Sequence, residues 1–226
     1  MEEVLRVIDL GRTSFDAALR VQKECLAEAA GNPGLHFLIF CSHHPVITCG
    51  TSHRASDILA DHLTLKAMNI DLRYVNRGGG VSYHGPGQIT VYPVCNLACL
   101  GRDISRFLGR LEECVLGFLE SFGVTASRRE GLPGVWTDNR KICSIGVAFS
   151  RWVSFHGLSV NIRSADMQPY SLIRPCGMNI KMTCLEEEAP RARELAYSAL
   201  LEGMQKSFLK VFWPLGIRIE ENGKWA

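Results

Sequence analysis

The residue types best able to do chemistry are concentrated in the glycine-rich segment, residues 77–88. It contains five glycines in twelve residues, together with Arg77 and His84. Glycine lets the backbone approach a ligand closely and present its N–H groups. Arginine adds a rigid donor fork that suits a carboxylate, carbonyl or phosphate. The spacing matches neither the GxGxxG dinucleotide fingerprint nor a P-loop. The segment therefore predicts a ligand-binding loop of another kind, in place of a plain turn.

Two further positions could supply a nucleophile and its partner. Cys176 lies between Pro175 and Gly177, on a constrained turn where a thiol is expected to be partly exposed. Lys141 begins an apolar strand; its ammonium either extends to the surface or, if buried, favours a nearby thiolate or acts as a base. Cys143 lies two residues further on, and strand alternation predicts that it shares the face of Lys141. Cys143 thus remains a rival nucleophile.

Strands and helices alternate along the chain, with hairpins between some of the strands. Ser14 and Asp103 are predicted helix caps, and Asn139 supports a hairpin between two strands. We predict strands at 4–10, 36–41, 71–75, 88–92, 135–137, 141–149 and 153–161, and helices starting at Ser14 and Asp103 and spanning 190–212. This order predicts an α/β (α+β) fold: a single domain over residues 1–226 with a mixed β-sheet flanked by helices.

Composition excludes several classes of protein. The chain has 226 residues, 46% of them hydrophobic, which is too apolar for intrinsic disorder. The net charge is +2, so no extended cationic surface for nucleic acid is expected. No apolar run is long enough to span a bilayer, and the acidic start lacks a secretory pattern. Nine cysteines without a CxxC pair indicate reduced thiols and no metal site. We expect a cytoplasmic protein with no nucleic-acid or membrane partner.

Six motifs follow one another along the chain. They are, in order, Arg77-Gly78-Gly79-x-x-Ser82-Tyr83-His84-Gly85-Pro86-Gly87-Gln88, Tyr92-Pro93, Gly134-Val135-Trp136, Lys141-Ile142-x-x-Ile145-Gly146, His156-Gly157-x-x-x-Asn161 and Pro175-Cys176-Gly177. This ordered set resembles the octanoyltransferase family of lipoate biosynthesis. The segment His43-x-Pro45-Val46-Ile47-Thr48-x-Gly50 resembles an earlier strand motif of the same family. The resemblance covers roughly residues 40 to 180. The departures are mild: Ser82 stands where threonine is common, and Cys143 stands where a small residue is usual.

The resemblance implies a fold shared with biotin and lipoate ligases, and a catalytic dyad of Cys176 and Lys141. It also implies three substrate-binding stretches. These comprise Arg77, Gly78, Gly79, Gly80, Val81, Ser82, Tyr83 and His84, then Ser144, Ile145 and Gly146, then Gly157, Leu158 and Ser159.

The implied reaction moves an octanoyl group from octanoyl-acyl carrier protein to a lysine of lipoyl domains. The acceptors would be the E2 subunits of 2-oxoacid dehydrogenases and the glycine-cleavage H protein. A thioester on Cys176 would be the intermediate, with no cofactor or ATP, in a monomeric enzyme. Three alternatives stay open: an ATP-dependent lipoate or biotin ligase, a thioesterase that passes the acyl group to water, and a catalytically silent acyl-binding module.

Overall fold

The computed structural model describes residues 3–221, apart from the side chains of Cys176 and Glu221. Within that range the chain forms eleven strands and five α-helices. The strands are β1 (Val4–Thr13), β2 (Leu35–His43), β3 (Val46–Cys49), β4 (Asp71–Tyr74), β5 (Val81–His84), β6 (Gln88–Val94), β7 (Gly134–Thr137), β8 (Arg140–Ser150), β9 (Val153–Asn161), β10 (Lys181–Met182) and β11 (Arg218–Glu221). The helices are α1 (Phe15–Gly31), α2 (His62–Ala67), α3 (Ile104–Glu120), α4 (Leu185–Glu188) and α5 (Tyr197–Phe212).

The strands form two sheets. The main sheet has the order β10-β8-β9-β6-β2-β1-β11, with β7 also paired to β8. The neighbouring pairs β2–β6, β6–β9, β9–β8 and β8–β7 are antiparallel. The pairs β1–β2, β1–β11 and β8–β10 are parallel. The second sheet is small, with the order β4-β3-β5. The predicted fold class, a mixed sheet flanked by helices, is confirmed.

Helices cover both faces of the main sheet. Helices α3 and α5 pack on one face through a core that contains Phe107, Phe118 and Phe208. Helix α1 packs on the opposite face, where Ala18 and Cys25 contact residues of β2 and β6. None of the helices among residues 3–221 is long and apolar enough to cross a membrane.

The predicted helix starts are confirmed at both caps. The Ser14 side chain accepts a hydrogen bond from the Ala17 N–H, and Asp103 accepts one from Arg106. The β7–β8 hairpin is also present, with Asp138 at φ +48° in its turn. The strand motif around Val46 is confirmed as β3, whereas sequence reasoning missed β5 inside the glycine-rich segment, α2, β10, α4 and β11.

The prediction of one helix over 190–212 is wrong. Pro190–Glu194 forms a 3-10 turn, Leu195 is extended, and α5 begins only at Tyr197. The cause is distant in sequence: the Arg163 guanidinium donates hydrogen bonds to the carbonyls of Ala192, Arg193 and Leu195. These carbonyls would otherwise accept from N–H groups of a continuous helix.

Close packing of β6 against β9 predicts a sharp difference between two glycine-to-alanine substitutions. A Cβ at Gly157 would collide with the Val91 carbonyl oxygen and lie 2.8 Å from Pro93 Cδ. A Cβ at Gly109, inside α3, would meet open space. We expect Gly157→Ala to lower the free energy of unfolding by about 1–3 kcal/mol. Gly109→Ala should raise it by about 0.5–1 kcal/mol. Urea denaturation of both variants checks this; equal shifts would contradict the packing.

Candidate active site

A narrow cleft, with a cavity volume of about 40 Å³, lies between the small sheet and the α1-facing side of the main sheet. The cleft is lined by Phe15, Arg77, Gly79, Gly80, Val81, Ser82, His84, Thr90, Tyr92, Lys141, Ser144, Ile145, Gly146, His156, Gly157, Leu158, Ser159 and Pro175. Most of the substrate-binding residues predicted from the sequence therefore lie on one surface.

Two of the predicted binding residues point elsewhere. The Tyr83 hydroxyl donates to Asp166 Oδ1 at 2.8 Å. The Gly78 N–H donates a hydrogen bond to the Val147 carbonyl and is therefore not available to a ligand in the cleft. Conversely, the structure adds Phe15, Thr90, Tyr92, His156 and Pro175 to the lining. Alternation along β6 after Gln88 could have indicated Thr90 and Tyr92. The position of Phe15 depends on how α1 docks and has no local signal.

The loop Arg77–Gly80 is clamped between two parts of the fold. Its carbonyls accept backbone hydrogen bonds from residues 50–52: Gly50 N–H donates to Gly80, Thr51 to Arg77, and Ser52 to Gly79. On the other side, the Gly78 N–H reaches β8 at Val147. A Cβ at Gly50 would collide with the Gly79 carbonyl oxygen. Glycine is therefore required by close backbone approach at this point.

Arg77 turns its side chain back over the floor of the cleft. Its Nη2 donates to Thr48 O and Thr48 Oγ1 at 2.8 and 2.7 Å, and Nη1 donates to Gly78 O at 3.0 Å. A Cβ on Gly146 would lie only 3.1 Å from Nη1. The guanidinium therefore lies over β8, and the missing side chain at Gly146 makes room for it.

Phe15, the first residue of α1, contacts three buried histidines. Its ring centroid lies 5.7, 6.5 and 6.3 Å from those of His43, His84 and His156. Burial lowers the pKa of His43 and of His156 to about 4, and lowers that of His84 as well. The nearby Arg77 charge pushes the pKa values of His84 and His156 in the same direction. All three imidazoles are therefore neutral at neutral pH.

Hydrogen bonds fix the tautomers of these neutral rings. His43 Nδ1–H donates to Thr13 O, so the Tyr92 hydroxyl donates to His43 Nε2 at 2.7 Å. His156 Nε2–H donates to Asn76 Oδ1 at 3.2 Å. Its Nδ1 is then an acceptor with no partner among the described residues.

Lys141 is buried at the opposite end of the cleft from Arg77, with 1% of its surface exposed. The sequence left open whether this lysine extends to the surface or is buried, and the structure shows that it is buried. Its Nζ lies 5.2 Å from the centre of the Trp136 ring, which favours a cation on the ring face. Its Cε would lie 2.6 Å from a Cβ at Gly134, a residue with φ +132°. The motif Gly134-Val135-Trp136 thus forms the pocket that holds this lysine.

The prediction that Cys143 shares the face of Lys141 is wrong. Val135 pairs with Cys143, and the next residue of β7, Trp136, pairs with Lys141. Strand β8 therefore has one extra residue, Ile142, without a partner on β7. This bulge at Ile142 turns Lys141 to the other side of the sheet from Cys143. Cys143 packs in the apolar core beneath α3, where burial raises its thiol pKa far above the usual range. A buried neutral thiol of this kind is a poor nucleophile.

The segment that carries Cys176 returns to the same cleft. Pro175–Gly177 forms a 3-10 turn, Pro175 lines the cleft, and the Arg174 N–H donates to Asp57 O at 2.7 Å. The Cys176 side chain lies outside the described residues, so its pairing with Lys141 stays a prediction.

A buried polar network anchors this segment further upstream. Gln88 Nε2 donates to Asn161 Oδ1 and Tyr170 Oη, each at 2.9 Å. Asp166 accepts from Tyr83 and from the Gly87 N–H. The glycine-rich segment, the end of β9 and the segment leading to Cys176 are therefore held together by side-chain hydrogen bonds.

Comparisons with known proteins agree with this arrangement. The family model of the lipoyl protein ligase A/B catalytic domain matches residues 15–209. The octanoyltransferase of Geotalea uraniireducens (strain Rf4) is 38% identical over 213 residues, which cover 93% of this chain and 96% of that protein. The octanoyltransferase of Parabacteroides distasonis is also 38% identical, over 224 residues that cover 93% and 99% of the two chains.

Solved structures show the same fold at low sequence identity. A putative lipoate protein ligase from T. acidophilum with bound lipoic acid superimposes with a TM-score of 0.73 at 16% identity, covering 98% of this chain and 89% of that one. A biotin protein ligase from Leishmania major in complex with biotinyl-5-AMP gives a TM-score of 0.51 at 10% identity, covering 92% and 74%.

The chain belongs to the lipoyl protein ligase A/B catalytic domain family. Its similarity to octanoyltransferases extends over nearly the whole chain, so within the family it is an acyltransferase that transfers octanoyl groups in lipoate biosynthesis.

The neutral histidines predict a loss of stability in mild acid. The unfolded chain protonates histidine near pH 6.5, whereas folded His43 and His156 take up protons only near pH 4. The unfolded state therefore binds more protons as the pH falls from about 6.5 to 4, and stability falls by up to about 1.4 kcal/mol per pH unit for each histidine. Asparagine tolerates the φ of +56° at residue 156. We expect His156→Asn to remove the contribution of one histidine from the slope of stability against pH, which corresponds to about one bound proton.

The measurement is the free energy of unfolding by urea at several pH values between 7 and 4.5. Parallel profiles for wild type and His156→Asn would show that His156 is not held neutral in the folded state.

Proposed function

We propose that this enzyme takes its octanoyl group from octanoyl-acyl carrier protein and delivers it to a lysine of lipoyl domains, through a thioester on Cys176. The observation that carries the proposal is the burial of Lys141 in a cleft whose lining includes Pro175, the residue before Cys176. The acceptors are the E2 subunits of 2-oxoacid dehydrogenases and the glycine-cleavage H protein. The enzyme acts as a monomer and uses no cofactor.

In the first step, the Cys176 thiolate attacks the thioester carbonyl of the donor. The new C–S bond to Cys176 forms and the C–S bond to the carrier breaks. The carrier sulfur leaves as a thiol with the proton of the Lys141 ammonium, which becomes the neutral amine. Because a free cysteine has a pKa near ~8.5, the thiolate needs stabilisation at neutral pH. A lysine ammonium beside it supplies that stabilisation. One thioester replaces another, so the step needs no ATP.

In the second step, the ε-amine of the acceptor lysine attacks the acyl-enzyme. An ordinary lysine is mostly protonated at neutral pH, with a pKa near ~10.4, and must lose protons to form the amide. Lys141, as the neutral amine, accepts a proton from the attacking nitrogen, and the Cys176 thiolate leaves. Amide formation from a thioester is downhill and drives the transfer.

The cleft offers the octanoyl chain an apolar path. Phe15, Tyr92 and Pro175 contribute carbon surface to its lining. Each methylene that is buried there contributes about 0.8 kcal/mol, so the depth of the cleft selects for chain length. Glycines at positions 146 and 157, paired across β8 and β9, contribute backbone to the floor of the cleft.

The intermediate is testable by intact-mass analysis after mixing the protein with octanoyl-acyl carrier protein without ATP. We expect one octanoyl group on the wild type, released by neutral hydroxylamine. Cys176→Ala should show none, and Cys143→Ala, the matched control in the core, should still be acylated.

Each other outcome identifies a different reaction. An adduct lost only in Cys143→Ala would move the nucleophile to Cys143. Absence of any adduct, with modification of a lipoyl domain by ATP and free octanoate, would establish a ligase. Release of free octanoate without an acceptor protein would establish a thioesterase. Octanoyl binding with none of these reactions would indicate a silent acyl-binding module.

The role of Lys141 predicts the effect of replacing it with an apolar side chain of similar length. We expect Lys141→Met to slow acylation at least ~100-fold, in keeping with the loss of acid–base assistance. The pH at which alkylation of Cys176 by iodoacetamide reaches half its maximal rate should also rise, because a cation that favours the thiolate is lost. Peptide mass spectrometry separates Cys176 from the other cysteines.

Lys181 provides the matched control because it is exposed on β10, next to β8. Lys181→Met should keep both the acylation rate and the alkylation midpoint. An unchanged acylation rate in folded Lys141→Met would remove Lys141 from the mechanism.

A further inference from the structure

A row of hydroxyl groups crosses the floor of the cleft. Thr90 on β6 pairs with Ser159 on β9, and Ser159 pairs with Ser144 on β8. All three line the cleft. We call these three residues the hydroxyl row. Because cross-strand partners project from the same face of a sheet, the three side chains stand side by side beneath the space that the acyl chain would fill.

Two members of the row lack hydrogen-bond partners. Thr90 Oγ1 and Ser159 Oγ have no hydrogen-bond partner among the described residues. Both residues are buried, with exposed fractions of 1% for Thr90 and 2% for Ser159. Ser82, which enters the cleft from β5 in the small sheet, has an unpartnered Oγ as well. Buried hydroxyls are normally paired, so a cluster of unpaired ones indicates that a ligand supplies the partner.

The position of the row places it at the interior of the acyl chain. Lys141 marks the reacting end of the cleft in the proposed function. The paired glycines Gly146 and Gly157 lie two residues beyond Ser144 and Ser159, about 7 Å further along the strands. A saturated octanoyl chain would pass over the row and leave its hydroxyls unpaired. A chain with an oxygen on an interior carbon would pair with them.

We propose that the hydroxyl row is a subsite for acyl thioesters that carry a hydroxyl group on an interior carbon, and that the enzyme transfers such chains in addition to octanoyl. This inference rests on the proposed function for the route of transfer. The bonds exchanged are the same as for octanoyl: the carrier C–S bond breaks, the Cys176 C–S bond forms, and the carrier thiol leaves with the proton. The hydroxyl on the chain takes no part in the exchange.

The row has the chemistry that this recognition needs. Each hydroxyl can donate and accept, so Thr90 and Ser159 can accept the proton of a chain hydroxyl and donate to its oxygen. Thr90 and Ser159 are almost fully buried, which limits competition from water. Such a site disfavours a chain without the hydroxyl, because the polar groups of the site then stay unpaired. Removing a hydroxyl of the row should therefore change the preference between hydroxyacyl and octanoyl chains.

The test compares octanoyl, 3-hydroxyoctanoyl and 5-hydroxyoctanoyl groups, each presented on acyl carrier protein, by intact-mass acylation rates. We expect the wild type to accept at least one hydroxyacyl group at a rate within tenfold of octanoyl. Thr90→Val, which keeps the side-chain shape, should lower the ratio of hydroxyacyl to octanoyl rates at least tenfold. Ser159→Ala should lower the same ratio. Ser105→Ala removes an exposed hydroxyl on α3 and should leave the ratio unchanged.

The outcomes separate this inference from the proposed function. Octanoylation of the enzyme without either hydroxyacyl adduct, or an unchanged ratio in Thr90→Val, overturns the subsite and leaves the proposed function standing. If no carrier acylates the enzyme, titration calorimetry with the free acids decides. Binding of a hydroxyoctanoate at least as tight as that of octanoate, weakened tenfold in Thr90→Val, supports the subsite; equal binding in the two proteins overturns it.

Discussion

The site depends on one constraint, which is the clamping of the loop Arg77–Gly80 between the two sheets. Backbone N–H groups from residues 50–52 hold it on one side, and it donates to Val147 of β8 on the other. Arg77 completes the clamp through Thr48 of β3. Together with the hydrogen bonds of Tyr83 and Gln88, this loop fixes the small sheet over the main sheet, where it covers the cleft. Glycine is needed at position 50, where a Cβ would collide with the Gly79 carbonyl oxygen, and at position 79, where φ is +86°.

The two ends of the cleft are built from different cationic side chains, Arg77 and Lys141. At one end, Arg77 is a fixed cation, and the histidines around Phe15 stay neutral because burial and that cation lower their pKa values. At the other end, Lys141 is enclosed by Trp136 and the glycine at position 134. In the proposed function, a neutral acyl chain lies between the two cations, with the reacting thioester at the lysine end and chain recognition along the rest of the cleft.

Much of the fold could be predicted because the signals are local. The periodicity and caps of α1 and α3, and the alternation of β6 and β9, specify these elements directly. The bulge at Ile142 could not be predicted, since it exists only in the pairing of β8 with β7, yet it decides that Lys141 enters the cleft and Cys143 does not. The break before α5 likewise comes from Arg163, a residue of a distant segment. The candidate site was found through ordered motifs, whereas Phe15 and Thr90 join it only through tertiary packing.

The most direct test of the account is a chase of the isolated acyl-enzyme. The octanoyl-enzyme is formed from octanoyl-acyl carrier protein, separated from the donor, and mixed with a lipoyl domain in the absence of ATP. The account predicts that the octanoyl group moves to the acceptor lysine at least as fast as the enzyme turns over, with loss of the thioester from Cys176. A stable octanoyl-enzyme in the presence of the acceptor, or loss of the group only to water, would contradict it.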